Sequence, residues 1–257
     1  MRRRLDVELV RRRLARSREH AGELIAQGAV KVGGAVASKP ATQVDLAAPI
    51  LVNAADAGAS AYVSRGAHKL GGALDELERR GQRPRIGQMV CLDAGASTGG
   101  FTDVLLRNEA ALVHAVDVGY GQLAWRLQQE PRVVVHDRTN VRYLQPGDLD
   151  PAPQLVVADL SFISLRTVLP ALQRVAVPNA TFLLMVKPQF EVGREQLPSG
   201  GVVADPAVRA QAVVQVGAEA AALGLGLVDV VRSPLPGPSG NVEFFLLAVA
   251  GLTGLSA

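Results

Sequence analysis

From position 89 onward, short apolar runs alternate with stretches of helical spacing. The runs Met89–Leu92, Ala111–Val116, Arg132–His136, Gln154–Ala158, Thr181–Val186, Gly226–Val231 and Val242–Ala248 are rich in Val, Leu and Ala. They read as buried strands. Apolar positions spaced three and four apart predict helices near 101–108, 122–129, 163–176 and 205–223. Alternating β and α units predict an α/β fold: a seven-stranded, mostly parallel sheet with helices on both faces. Just ahead of it, Leu70, Leu74 and Leu77 form one apolar face of a further helix that ends near Gly81.

The first 58 residues follow another pattern. Leu5, Leu9, Val10 and Leu14 fall near helical spacing, and Ala21, Leu24 and Ile25 mark a second helix, with Ser17 as its N-cap and Gly28 as its stop. Val30–Val32, Gly33-Gly34 and Ala35–Val36 read as a tight hairpin, followed by a short strand at Pro49–Val52. The small, polar run from Asn53 to Ser60 leads out of this module. The predicted organisation is a small α+β domain over 1–58, a linker over 59–63 and the α/β domain over 64–257.

Charge separates the same two parts. Residues 1–58 hold ten Lys/Arg against six Asp/Glu; the remainder holds 17 against 18. A basic module ahead of a neutral body points to an anionic partner, because Lys/Arg clusters gain affinity by releasing counterions from phosphates. Arg4, Arg11, Arg12, Arg13, Arg16, Arg18 and Lys31 are candidates for that basic face, with Arg65 at the start of the second domain. At 257 residues and 48% hydrophobic the chain can build a substantial core. No run approaches the roughly 20 apolar residues of a membrane helix, and no apolar segment follows Met1-Arg2-Arg3-Arg4 as in a secretory signal. The single cysteine, Cys91, falls in the first strand; it excludes an intramolecular disulfide framework and reads as a buried thiol. These features favour the cytoplasm. No cluster with metal-ligand spacing is present.

The candidate chemistry begins at Asp93-Ala94-Gly95-Ala96-Ser97-Thr98-Gly99-Gly100-Phe101, which joins the first strand to a helix. Its D-x-G-x-x-x-G-G spacing is not the dinucleotide fingerprint. It resembles the first motif of S-adenosylmethionine (SAM) methyltransferases. Asp117 lies 22 positions after Gly95, at the end of the second strand, where an acid can bind ribose hydroxyls. Ligands of such sheets sit beyond the strand C-termini. There the chain places Asp93, Asp117, Asp137, Asp159 and Lys187.

Two resemblances extend this reading. Leu5-Asp6-x-x-Leu9-Val10, Ser17-Arg18-Glu19-x-Ala21, Ile25-x-x-Gly28-x-Val30-x-Val32-x-Gly34 and Lys39-Pro40 resemble an S4 RNA-binding domain. Tyr62-Val63-Ser64-Arg65-Gly66-x-x-Lys69-Leu70, the glycine loop, Asp117-Val118-Gly119-Tyr120-Gly121-Gln122-Leu123, Val156–Ser164 and Leu184–Glu191 resemble the TlyA (haemolysin A) family of S4-tethered, FtsJ-like ribosomal RNA 2′-O-methyltransferases. The similarity runs from residue 4 to about 249. At the linker, Ser60-Ala61-Tyr62-Val63 stands where family members carry an Arg-x-Trp-Val-like tetrapeptide.

The resemblance implies a Rossmann-like SAM-dependent methyltransferase, acting on ribosomal RNA or ribosomal subunits, most often on cytidine. By motif, Lys69, Asp159, Lys187 and Glu243 match the family's Lys-Asp-Lys-Glu tetrad. Asp93, Gly95, Ser97, Thr98, Gly99, Gly100 and Phe101 would meet the cofactor, with Asp117 at its ribose, Asp137 at its adenine and Asp159 beside them. A ribose 2′-hydroxyl is a poor nucleophile, so it must be aligned and its proton removed. Lys187 can take that proton, or orient the oxygen and stabilise its developing charge. Pro188–Pro206 reads as a mobile loop closing over the ligands, and Ser233–Gly240 as a second irregular loop within reach of RNA. Competing readings are a membrane-active haemolysin, an RNA-binding scaffold that holds SAM without turnover, and a methyltransferase for a small molecule or protein.

Overall fold

The computed structural model describes residues 2–15, 17–26, 29–52, 62–193, 195, 197–237 and 239–251. The chain divides into two compact units, Met1–Ala61 and Tyr62–Ala257. Gly28, Arg16 and linker residues 59–61 lie outside the described residues.

In the first unit, β1 (Arg2–Arg4) leads into α1 (Leu5–Arg11) and α2 (Arg18–Ala26). β2 (Val30–Val32), β3 (Ala35–Val36), β4 (Gln43–Asp45) and β5 (Ile50–Val52) follow. The hairpin turns at Gly33-Gly34, where both residues take positive φ (57° and 87°), as a tight two-residue turn requires. Ser17 caps α2: its Oγ accepts from His20 N at 3.1 Å. β5 adds to the free side of β2, and β1 pairs with β4. The β1–β4 pair has no periodicity signal, since Arg2–Arg4 shows no apolar alternation. Leu5, Leu9, Ala21, Ile25, Val30 and Val44 make the core.

The second unit opens with α3 (Gly66–Arg79), β6 (Val90–Ala94), α4 (Gly100–Arg107), β7 (Leu112–Val116), α5 (Trp125–Gln128) and β8 (Val133–His136). A 3-10 turn at Val141–Tyr143, β9 (Leu155–Ala158), α6 (Leu165–Val175), β10 (Thr181–Val186) and α7 (Pro188–Glu191) come next. α8 (Pro206–Ala222), β11 (Leu225–Arg232) and β12 (Phe244–Ala250) complete it. The sheet order is β11-β12-β10-β9-β6-β7-β8. β12 runs antiparallel between β10 and β11; the other pairs are parallel. One hydrophobic cluster covers each face.

Register decides what reaches the rim. Ala94, Val116, His136, Ala158 and Leu184 lie in one row across the five parallel strands. Gly95, Asp117, Asp137 and Asp159 follow that row and emerge together at the strand ends. Asp93 departs from the sequence expectation. It lies one row inside β6, level with Ala115 and Val157, because the strand runs on to Ala94 rather than stopping at Leu92. Two other elements differ. α5 is a single turn, since Leu123 drops into the core ahead of it. The segment expected to be loop from Pro188 begins with a helical turn, α7.

Candidate active site at the strand ends

Gly95 and Gly99 take positive φ (87° and 93°), so the loop after β6 folds back tightly. A Cβ at Gly95 would lie 2.8 Å from Asp159 O, which shows how closely this loop meets the one after β9. A Cβ at Gly100 would strike Ser64 Oγ, and Phe101 packs in the core against Phe245, with ring centroids 5.9 Å apart. The Phe101 ring therefore faces the interior, and only its backbone is available to a ligand at the rim.

Asp93 holds the start of α4. Its Oδ2 accepts from Thr102 N (2.8 Å) and Thr102 Oγ1 (2.7 Å). Its Oδ1 is buried and has no hydrogen-bond partner. Burial pushes the Asp93 carboxyl up to about 7 against the Thr102 bonds; Asp159 and Asp117 push the same way. Asp117 accepts from Ser97 N (2.8 Å) and Gly119 N (2.7 Å), so it shapes the loop as well as facing the rim. Ser97 Oγ donates to Gln122 Oε1 (3.3 Å), Thr98 O accepts from Ala124 N (3.2 Å), and Asp137 Oδ2 accepts from Gly121 N (2.9 Å).

A cavity of about 250 Å³ opens here, lined by Gly95, Asp117, Val118, Thr139, Asn140 and the segment Leu160–Ile163 among others. Asp93 and Asp137 are not among its lining residues. An acid at the cavity wall and an unpartnered buried carboxyl oxygen behind the glycine loop suit a nucleoside cofactor with a cationic tail. Among the described residues, no group of three or more His, Cys, Asp or Glu could hold a metal ion.

The four residues assigned by motif form two lysine–carboxylate pairs. Lys187 Nζ makes an ion pair with Asp159 Oδ1 at 2.6 Å and donates a hydrogen bond to Ser161 Oγ at 3.0 Å. Lys69 Nζ donates to Glu243 Oε2 at 2.6 Å and touches Met185 Sδ at 3.9 Å. Lys69 is 6% exposed and Glu243 1%. Read as single residues, Lys69 resembles a solvated lysine and Glu243 a strand-edge acid; each is buried because it has the other. Register explains the convergence of the pairs. Val186 faces Phe244 across the antiparallel β10–β12 ladder, so one step further Lys187 stands opposite Glu243. Gln189 Nε2 donates to Glu243 Oε1 at 3.3 Å.

The candidate RNA contacts divide. Arg4 and Arg18 share Asp6, with Nη2 to Oδ2 distances of 2.9 and 3.1 Å. Arg11 and Arg12 share Glu8 at 2.6 and 2.7 Å, and Arg12 also donates to the carbonyls of Leu46 and Ala48. The Arg4 hydrogen bond holds Asp6 down at about 2, and the Arg11 bond does the same to Glu8. Arg13 is exposed at a positive-φ turn (59°) after α1, and Lys31 is half-buried on β2. In the second unit Arg65 is exposed and donates to Pro236 O at 3.0 Å, tying the start of α3 to the Ser233–Gly240 segment.

Sequence reasoning missed an aromatic group at the same rim. Phe162 is 92% exposed at positive φ (64°), with its ring 5.3 Å from that of Phe190. Tyr120 is 71% exposed, with the Arg138 guanidinium 4.3 Å above its ring. Tyr143 is also exposed, beside Arg142. In the sequence, Phe162 sits between Leu160-Ser161 and Ile163, just ahead of the helix expected near 163–176, and no local pattern there signals an exposed ring.

Residues 62–249 match the family model of the FtsJ-like methyltransferases, and residues 3–48 match that of the S4 domain. A Mycobacterium tuberculosis protein named 16S/23S rRNA (cytidine-2′-O)-methyltransferase TlyA is 56% identical over 246 residues, 95% of this chain and 88% of that relative. A Campylobacter jejuni protein named 23S rRNA (cytidine-2′-O)-methyltransferase TlyA is 35% identical over 185 residues, 72% of this chain and 69% of the relative. A solved Streptococcus thermophilus structure that carries a hemolysin name superimposes with a TM-score of 0.74 at 36% identity, covering 97% of this chain and 88% of that one.

Proposed function

This chain belongs to the FtsJ-like methyltransferase family, in its S4-bearing TlyA branch, and from that premise we propose that it methylates a ribose 2′-hydroxyl of cytidine in ribosomal RNA. It is a SAM-dependent methyltransferase. When bound, SAM supplies an electrophilic methyl group on a sulfonium. The observation that carries the proposal is the pair of lysine–carboxylate contacts, Lys187–Asp159 and Lys69–Glu243, set on the rim beside the glycine loop.

The chain's own residues have separable tasks. Gly95 lets the loop after β6 approach the loop after β9, and Asp117 presents a carboxylate at the cavity wall for ribose hydroxyls. By motif, Asp93, which has one buried oxygen without a partner, would serve the cationic end of the cofactor and Asp137 its adenine, although neither lines the cavity itself. Lys187 Nζ meets the substrate oxygen. Two roles are open to it, taking the hydroxyl proton or holding the oxygen as charge develops; arginine in its place keeps only the second. Lys69 and Glu243, each buried against the other, complete the rim.

Structured RNA is read largely through shape and phosphates, with unpaired bases stacked on aromatic rings. The S4 unit supplies the arginines, and Phe162 and Tyr120 supply exposed rings beside the cavity. The target is ribosomal RNA within structured RNA or assembled subunits, and the work belongs in the cytoplasm. Relatives carry hemolysin names, yet no described helix is long and apolar enough to cross a membrane.

Labelled SAM incubated with undermethylated small subunits, large subunits and protein-free rRNA tests the reading. Label on a 2′-oxygen of cytidine, lost with Lys187→Ala, is the expected result. SAM binding with no label in any RNA would overturn it.

A further inference from the structure

A fully buried acid outside the tetrad points to a device that sets the catalytic lysine. The carboxylate of Glu191 is 1% exposed. Its Oε1 accepts from Leu165 N at 2.7 Å and its Oε2 from Ser164 Oγ at 2.6 Å. Arg166 adds a bond from Nη2 to the backbone carbonyl of Glu191 at 2.9 Å, while its Nε, 3.5 Å from Oε2, makes an ion pair without a hydrogen bond. Leu165 and Arg166 are the first two residues of α6, so the carboxylate also faces the positive end of an eleven-residue helix.

Both ends of this contact lead back to Lys187. On one side, α7 begins directly after Lys187; Phe190 N donates to Lys187 O at 2.9 Å, and Glu191 is the last residue of that turn. On the other side, the six residues Asp159–Ser164 join the two polar contacts of the Lys187 ammonium, Asp159 and Ser161, to Ser164. Two segments are thus fastened to each other at two points. Lys187 with Asp159 and Ser161 is one, and Glu191 with Ser164 and Leu165 is the other. β10 fixes the backbone only as far as Val186. Beyond it, Glu191 holds the lysine-bearing turn against the aspartate-bearing loop.

We propose that Glu191 is a positioning residue that sets the Lys187 ammonium against Asp159 and Ser161 through the frame formed by α7 and the start of α6. The role of Lys187 in this statement rests on the methyl-transfer reading above. A misplacement of the order of 1 Å at a reacting group costs up to about 100-fold in rate, so a loosened frame is read in catalysis before it is read in ligand binding.

The test uses the full-length protein with Glu191→Gln, Glu191→Asp, Lys187→Ala and the double variant Glu191→Gln/Lys187→Ala. Single-turnover methyl transfer in Glu191→Gln is expected to fall about 10- to 100-fold, with SAM affinity within about twofold of wild type. Glu191→Asp keeps the charge and restores part of the rate. The double variant is expected to be no slower than Lys187→Ala alone, because a residue acting through another adds nothing once that other is gone. A second readout needs no turnover. In RNA-free protein, the acetylation rate of Lys187 by an N-hydroxysuccinimide ester, measured by mass spectrometry against Lys69, is expected to rise several-fold in Glu191→Gln. Multiplicative rate losses in the double variant would overturn the proposal, as would an unchanged Lys187:Lys69 labelling ratio. If wild-type protein methylates no RNA, the functional reading fails by itself, and the labelling ratio alone decides the role of Glu191.

Discussion

Asp6 and Glu8 in the S4 unit and Asp93 in the methyltransferase unit are all buried, yet the first two are held near 2 and the third is pushed up to about 7. The difference lies in what each carboxylate meets. Arg4 and Arg18 close on Asp6, and Arg11 and Arg12 on Glu8. Asp93 meets a hydroxyl and one backbone amide, and no side-chain cation. Where arginines enclose an acid, the charge serves the fold and part of the basic surface is neutralised from within. Where the acid is buried without a cation, burial favours its neutral form instead. The S4 unit settles its buried acids with its own arginines; the methyltransferase unit leaves Asp93 without a cation.

The largest test of that contrast is removal of the lysine at the rim. Lys187→Ala is expected to lower single-turnover methyl transfer by about 10²- to 10⁴-fold, with RNA affinity in a filter-binding assay close to wild type. A parallel loss of RNA binding would show that the two units do not divide the work. Next is Phe162→Ala. A base stacked on an aromatic ring contributes about 1–3 kcal/mol, so RNA affinity is expected to fall roughly tenfold while SAM binding to RNA-free protein holds. Unchanged RNA affinity would remove Phe162 from the interface.

The pH dependence of stability sharpens the comparison, because the two units have opposite signs. Asp93 has a raised folded value, so its contribution is full below the ordinary carboxylate value near 4 and is lost as pH rises toward about 7. Asp6 and Glu8 have depressed folded values; their contribution is present above about 4 and lost as pH falls toward about 2. Urea midpoints of ligand-free protein should show Asp93→Asn gaining on wild type from about pH 4 to about pH 7 and Asp6→Asn converging with wild type below about pH 4. The same slope in both variants would break the contrast. The smallest effect is expected from Arg13→Ala. It should weaken RNA binding a few-fold and reduce the salt slope by about one, measured as log affinity against log salt; an unchanged slope would mean that Arg13 touches no phosphate.

The sheet was legible in the sequence because strands buried on both faces must be apolar throughout, and Thr181–Val186 was bounded to the residue. Asp117, Asp137, Asp159 and Lys187 were placed at the strand ends because each follows an apolar run. The row occupied by Asp93 was not legible: an acid gives no apolar signal, and only the pairing with Ala115 and Val157 reveals that the strand continues. The burial of Lys69 depends on Glu243, 174 positions later, so no local pattern carries it. The exposure of Phe162 rests on a backbone conformation that nothing in an apolar string announces.

The place of β12 has a consequence for the order in which the molecule is made. Glu243 stands immediately before β12, the strand that lies between β10 and β11, and reaches back to Lys69. A contact of that separation closes a very long loop before it brings any reward. On the translating ribosome, everything in the S4 unit has been polymerised long before Glu243 exists. The growing polypeptide therefore carries its S4 unit for most of its synthesis without the Lys69–Glu243 pair, which can form only once the chain has reached β12, the last strand among the described residues.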